Sequence, residues 1–210
     1  NPGILEAGVH ADGSFNPAAH LQLNGGQIDN SGSMTSHGTL TADVRNLNNQ
    51  AGKLTAAGDA KLKADTLNNE GGQVLAQRDL NIQVGTSDNR GGKLLAGRAL
   101  TVSGTDLNNQ GGTVAATAAI KTELSGTLNN TSGLVEAGTL LDLGADTLSN
   151  ANGQLRALGA SGTSRFAIGG RFDNDNGKVE IGNAKLSLSA TRFDQARGGR
   201  LLVLGELDAD

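Results

Sequence analysis

Short runs of alternating apolar and polar residues recur along this chain at a period of about twenty residues. One set of pairs is Leu54/Ala56, Val74/Ala76, Leu94/Ala96, Val114/Ala116 and Val135/Ala137. A second set is Ala60/Leu62/Ala64, Leu80/Ile82/Val84, Leu100/Val102, Ile120/Leu124 and Leu141/Leu143/Ala145. A period of two predicts short strands with one buried face. None of the runs places apolar residues at i, i+3 and i+4, so helices are not expected. Between the runs stands a corner, seen in Leu47-Asn48-Asn49-Gln50-Ala51-Gly52, Leu67-Asn68-Asn69-Glu70-Gly71-Gly72 and Leu107-Asn108-Asn109-Gln110-Gly111-Gly112. Two late corners open on an aromatic, Phe172 and Phe193, which are expected to stack inside the core.

A coil of two short strands and a corner cannot bury its apolar face alone. Stacking solves this: each coil hydrogen-bonds to the coils above and below, and inward residues form columns about 4.8 Å apart. The expected fold is all-β, a parallel β-helix (solenoid) of about 20-residue coils. Nine or so coils would make a rod roughly 40 Å long. Residues 1–20 read as a partial coil and loop, with a strand at 3–8 and a loop at 9–20 that breaks the period. Residues 21–210 read as the repeat. The chain reads as an excised piece of a longer protein.

The second corner Asn recurs as Asn30, Asn49, Asn69, Asn89, Asn109, Asn130, Asn150 and Asn174, with Gln195 in the last copy. Asn tolerates left-handed backbone, which suits a corner, and its amide can donate and accept along a column of stacked coils. The period slips once. Twenty-four residues separate Leu148 from Phe172, and the excess is placed in Leu158–Arg165, expected to protrude from the rod. Loops on a regular scaffold are where binding is often placed, so Ser161, Thr163 and Arg165 are candidate contacts. Arg192, Arg197 and Arg200 are a candidate basic patch for an acidic glycan.

Composition removes several classes. Glycine is 32 of 210 residues, proline 2 and aromatics 2%, with no Trp, Tyr or Cys. There is no Gly-X-Y triplet of collagen, no disulfide scaffold and no Cys-based zinc site. A net charge of −4 argues against nucleic acid as a partner. No apolar run approaches the roughly 18 residues of a membrane helix, so no transmembrane segment is expected. The opening Asn-Pro-Gly-Ile-Leu has neither the basic region nor the long apolar core of a signal peptide.

Asp173-Asn174-Asp175-Asn176-Gly177 has a passing likeness to a calcium loop, but its Gly comes one place early and the closing Glu is missing. It reads as a corner. Arg197-Gly198-Gly199-Arg200 is a single Arg-Gly-Gly copy in register with another corner. The His residues at 10, 20 and 37 lack metal-ligand spacing, and no nucleophile elbow or phosphate loop is present. No cofactor, metal or catalytic residue is expected.

The Leu-Asn-Asn-x-Gly-Gly-x-Leu-x-Ala…Leu-x-Leu pattern, over roughly residues 21–207, resembles the haemagglutinin-type repeats of filamentous haemagglutinin and the related CdiA-type exoproteins. The resemblance implies a right-handed β-helix within a long fibre, secreted through an outer-membrane two-partner secretion transporter to the surface of a Gram-negative bacterium. It implies adhesion to a receptor or glycan on host or neighbouring cells, or presentation of a distal contact-dependent inhibition toxin. The chain carries no Arg-Gly-Asp motif and no Val-Glu-Asn-Asn pretoxin motif, so no member's specific activity transfers to its residues. The expected function is a structural stalk. The alternatives are a receptor- or glycan-binding segment and, from another class, a carbohydrate-active β-helix enzyme, which the absence of Trp, Tyr and clustered carboxylates disfavours.

Overall fold

The computed structural model describes residues 1–210 as an all-β solenoid of stacked coils with no helix. Each coil contributes one strand of four residues, such as Lys53–Ala56 or Gln73–Ala76. Most coils then contribute one of nine to eleven, such as Thr39–Asn48 or Ala60–Asn68. The short strands make a sheet of ten layers stacked in chain order, and the long strands make the second sheet. Ten layers give a rod of roughly 45 Å.

Pairing is parallel throughout both sheets, and like residues lie over like. Leu54 pairs with Val74, Val74 with Leu94 and Leu94 with Val114. In the other sheet Leu62 pairs with Ile82 and Ile82 with Val102. These columns form a single core of 42 buried apolar residues running the length of the stack. That continuity is the return on the alternation: no coil has an interior of its own, and each gains one from its neighbours.

The corner Leu belongs to the long strand rather than to the turn. In Ala60–Asn68 the burial runs in-out-in-out-in-out-out-in, so the strand bends at Asp65-Thr66 and re-enters the core at Leu67. Two later coils break there into separate strands, Ile120–Leu124 with Thr127–Asn129, and Leu141–Ala145 with Thr147–Ser149. Every coil therefore turns three times, at the bend, at the Asn corner and after the short strand.

Three expectations need correction. Phe172 is fully buried, but Phe193, which lies 4.9 Å from it, is 38% exposed in the outermost layers. The inner aromatic partner is instead Phe166, buried in the column of Leu143 and Leu188. Second, Leu158–Arg165 is not one protruding loop. Only 158–162 lie outside strands, since the strand Thr163–Asp173 begins at Thr163 and Ser164 is fully buried. Third, one of the extra residues is elsewhere. Ile168 pairs with Ala190 but Arg171 with Arg192, so Gly169-Gly170 forms a bulge at the bend.

The segment that stands out from the rod is 9–19. A Val9–Phe15 antiparallel bridge closes a small hairpin, with the Asp12 carboxylate accepting from the N–H and hydroxyl of Ser14. Phe15 stacks flat on His37 at 3.8 Å.

Candidate functional site

The side chains that the fold brings together most closely are those of the Asn corner. A backbone turn closes it: Gly72 N–H donates to the Asn69 carbonyl at 3.0 Å, and the equivalent bond recurs from Gly52–Asn49 to Gly177–Asn174. Positive φ falls on the third turn residue, as type II turns require. That residue is Gly71, Gly91 or Gly111 in three coils, but Ala51, Ser132, Asn152 and Asn176 in others. The recurrent Asn is therefore not the left-handed residue, contrary to the expectation that backbone tolerance selects it. Its role is in its amide.

Each corner amide is fully or almost fully buried. Nδ2 of Asn30, Asn49, Asn69, Asn89, Asn109, Asn130 and Asn150 donates to Oδ1 of the next Asn in the column at 2.7–2.8 Å. The same nitrogen donates to a backbone carbonyl one coil on: Gln73 for Asn49, Lys93 for Asn69, Thr113 for Asn89. A longer contact of 3.3–3.4 Å reaches the Gly carbonyl of its own corner. The column runs one way, with donors facing the C-terminal coils. A buried amide is tolerable only when so satisfied.

The column extends one rung further toward the N-terminus than the repeat suggests. Asn1 Nδ2 donates to Asn30 Oδ1 at 3.1 Å and to the Ser33 carbonyl at 3.1 Å, the same contacts as the later amides. It ends at Asn174, whose Nδ2 donates to the Arg200 carbonyl. Gln195 is exposed and outside the column. The last corner has one residue more than the others, and its turn closes from Gly199 to Ala196, which carries Gln195 away.

Two neighbours of the ladder were not singled out by the repeat alone. The first corner Asn accepts the N–H two residues on, as in Asn68–Glu70 at 3.0 Å and Asn129–Thr131 at 3.1 Å. This needs only an acceptor, and Asp88 and Asp173 serve equally. The variable first and constant second position carried that signal. The second Gly has a different task from the first. A Cβ on Gly72, Gly92, Gly112 or Gly153 would overlap the carbonyl oxygen of the Asn one coil below. Close stacking thus requires glycine in this column whatever its φ.

The candidate binding residues do not converge. Ser161 and Thr163 are exposed, but the loop is tied down by Asn183. Its Nδ2 donates to the carbonyls of Thr139, Gly159 and Ser161 at 2.8–3.0 Å. Ser164 completes the anchor by donating to Asn183 Oδ1 at 2.6 Å. Arg165 points outward from its strand beside Asp142 of the coil below. Arg192 is paired with Asp194 at 2.8 Å, and Asp194 also accepts from Arg171 at 2.6 Å. These hydrogen bonds, Arg192 first and then Arg171, hold the Asp194 carboxyl below the ordinary carboxylate range. Arg171 is correspondingly held above its usual value, first by Asp194 and then by Asp173. Arg197 and Arg200 make no ion pair and sit on the corner and on the short-strand sheet, respectively. The expected three-arginine patch is therefore split, with one member neutralised.

Ion pairs across coils decorate the surface elsewhere. Arg156 bridges Glu136 at 2.5 Å and Glu180 at 3.1 Å, spanning three layers of the short-strand sheet. Pairs at the surface, half-buried as these are, contribute modestly one by one.

A parallel solenoid with a buried one-way amide column at one corner defines a structural repeat protein. The haemagglutinin repeat family matches residues 6–77, 55–132 and 159–209, and the chain belongs to it. Residues 133–158, between the matched segments, continue the same stack without a break. No curated protein and no solved structure matches the chain. The family is a structural, adhesin-type repeat of secreted or cell-surface proteins. No helix is long and apolar enough to cross a membrane.

Proposed function

We propose that this chain is a stalk segment of a secreted, cell-surface filamentous exoprotein of a Gram-negative bacterium. The parent is an adhesin or a contact-dependent inhibition protein, exported through an outer-membrane two-partner secretion transporter. The segment works mechanically, holding a distal functional tip away from the membrane. One observation carries this reading. The hydrophobic core is one continuous cluster and the amide column is unbroken from Asn1 to Asn174, so an axial load passes from each layer to the next through both.

The second reading is that the segment itself binds a receptor or an acidic glycan. It is favoured by the unpaired Arg197 and Arg200 beside an exposed corner, with Arg165 and the 158–162 loop as further contacts. The test is binding of the purified chain, shown to be β-rich by circular dichroism, to bacterial and epithelial cells. The stalk reading expects no saturable binding at micromolar concentration. Saturable binding lost in an Arg197→Ala/Arg200→Ala variant would replace it with the second.

A further inference from the structure

The core admits hydroxyls, and all but one are satisfied. Ser164 occupies a leucine column between Leu141 and Leu186, and its Oγ both donates to Asn183 and accepts from the Leu141 N–H. Thr122 points inward and exchanges hydrogen bonds with the backbone of Gly144. Ser36 donates to the Thr39 carbonyl. Ser87 differs. It stands in the corner-leucine column between Leu67 and Leu107, 3% exposed, and its Oγ is the one buried side-chain polar atom with no partner. An unpaired buried hydroxyl is costly, and a serine fills less of a leucine site.

The adjacent layer has a second deficit in the same part of the cross-section. Gly104 occupies the bend column, where Val84 lies below it and Leu124 above. No side chain enters the core there, because the backbone approaches the Val84 carbonyl so closely that a Cβ would overlap it. The two sites lie in consecutive long strands, Leu80–Asp88 and Leu100–Asn108, Gly104 just before the bend and Ser87 between the bend and the Asn corner. In the flanking layers the same two columns are filled by Ala64 with Leu67 and by Leu124 with Leu128.

We propose that these two layers form a yielding seam, the place in the interior of the rod where the coils part first. The Asn89–Asn109 amide bond crosses the seam intact, so the coils stay in register while the core beside them opens. A stalk with one weak interior layer opens reversibly at a fixed position instead of fraying throughout. The seam is a property of the coil stack and stands or falls separately from the stalk reading.

Native-state hydrogen exchange on the full chain tests this. Amides of 80–88 and 100–108 should exchange at least about tenfold faster, after correction for intrinsic rates, than those of 60–68 and 120–129. Ser87→Leu should bring the two strands to the level of their neighbours, and Ser87→Ala should do so in part. Protection in 80–108 equal to that of the flanking layers would overturn the proposal. So would a folded Ser87→Leu protein with the exchange pattern unchanged.

Discussion

The regular coils and the coils after Ala157 stack by the same rules but spend their residues differently. Val135 pairs with Leu155, twenty positions on, whereas Leu155 pairs with Val179, twenty-four on. In the regular part the backbone ladder and the matched apolar columns are joined at every coil by the Asn ladder and the second corner glycine. In the later part the core turns aromatic at Phe166 and Phe172, and a second buried amide, Asn183, fastens the inserted residues. The difference shows what an insertion requires in a solenoid. The chain can leave the coil only if a side chain from the next coil replaces the lost backbone ladder.

The sharpest break of that comparison is at the two corner glycines. Gly112→Ala should cost about 3 kcal/mol or more, because the new Cβ overlaps the Asn89 carbonyl of the coil below. The next largest effect is expected from Asn183→Ala, at about 2–3 kcal/mol, since three carbonyls and the Ser164 hydroxyl lose their partner. Proteolysis should then begin within 158–162. Gly111→Ala should cost only about 1 kcal/mol, the price of a left-handed residue, because Ala51 already holds the same slot. Urea denaturation measures all three.

The smallest effect is electrostatic. The Asp194 carboxyl is held below its ordinary value by Arg192 and Arg171. Its contribution is complete above the ordinary carboxylate pKa of about 3.9 and is lost as pH falls through the lowered folded value. Carbon-detected NMR titration should place the Asp194 midpoint below the ordinary carboxylate value of about 3.9, and Arg192→Ala should raise it.

Much of this was legible from period alone. Alternation every second residue defines the inward columns without reference to any partner, because identical coils impose the same environment on each copy. The amide column was legible because only Asn persists at that position while its neighbour varies between Asn, Asp and Ser. What period hides is the one-off contact. Asn183 and Ser164 occur once, and nothing in their local sequence marks them as partners. The bulge at Gly169-Gly170 was hidden by the insertion just before it, which shifted the count in the same direction. The arginine patch failed for a related reason. Residues close in sequence lie on different faces of a coil, and Asp194 neutralises Arg192 across the strand end.

The most direct test compares one substitution at two adjacent residues, Asn129→Asp and Asn130→Asp, by equilibrium denaturation at neutral pH. The Asn129 side chain accepts from the Thr131 N–H, a bond that Asp keeps, and donates to Asn108 Oδ1 at 3.1 Å in a half-buried contact, the one bond that Asp loses. Asn130 donates to Asn150 Oδ1 at 2.7 Å and to the Gln154 carbonyl at 3.0 Å, and a buried carboxylate there would face acceptors only. A one-way amide column predicts a loss of about 1 kcal/mol for Asn129→Asp, one half-buried hydrogen bond, and about 3–5 kcal/mol for Asn130→Asp. Equal losses at the two positions would contradict the claim that a one-way column of amides holds the coils in register.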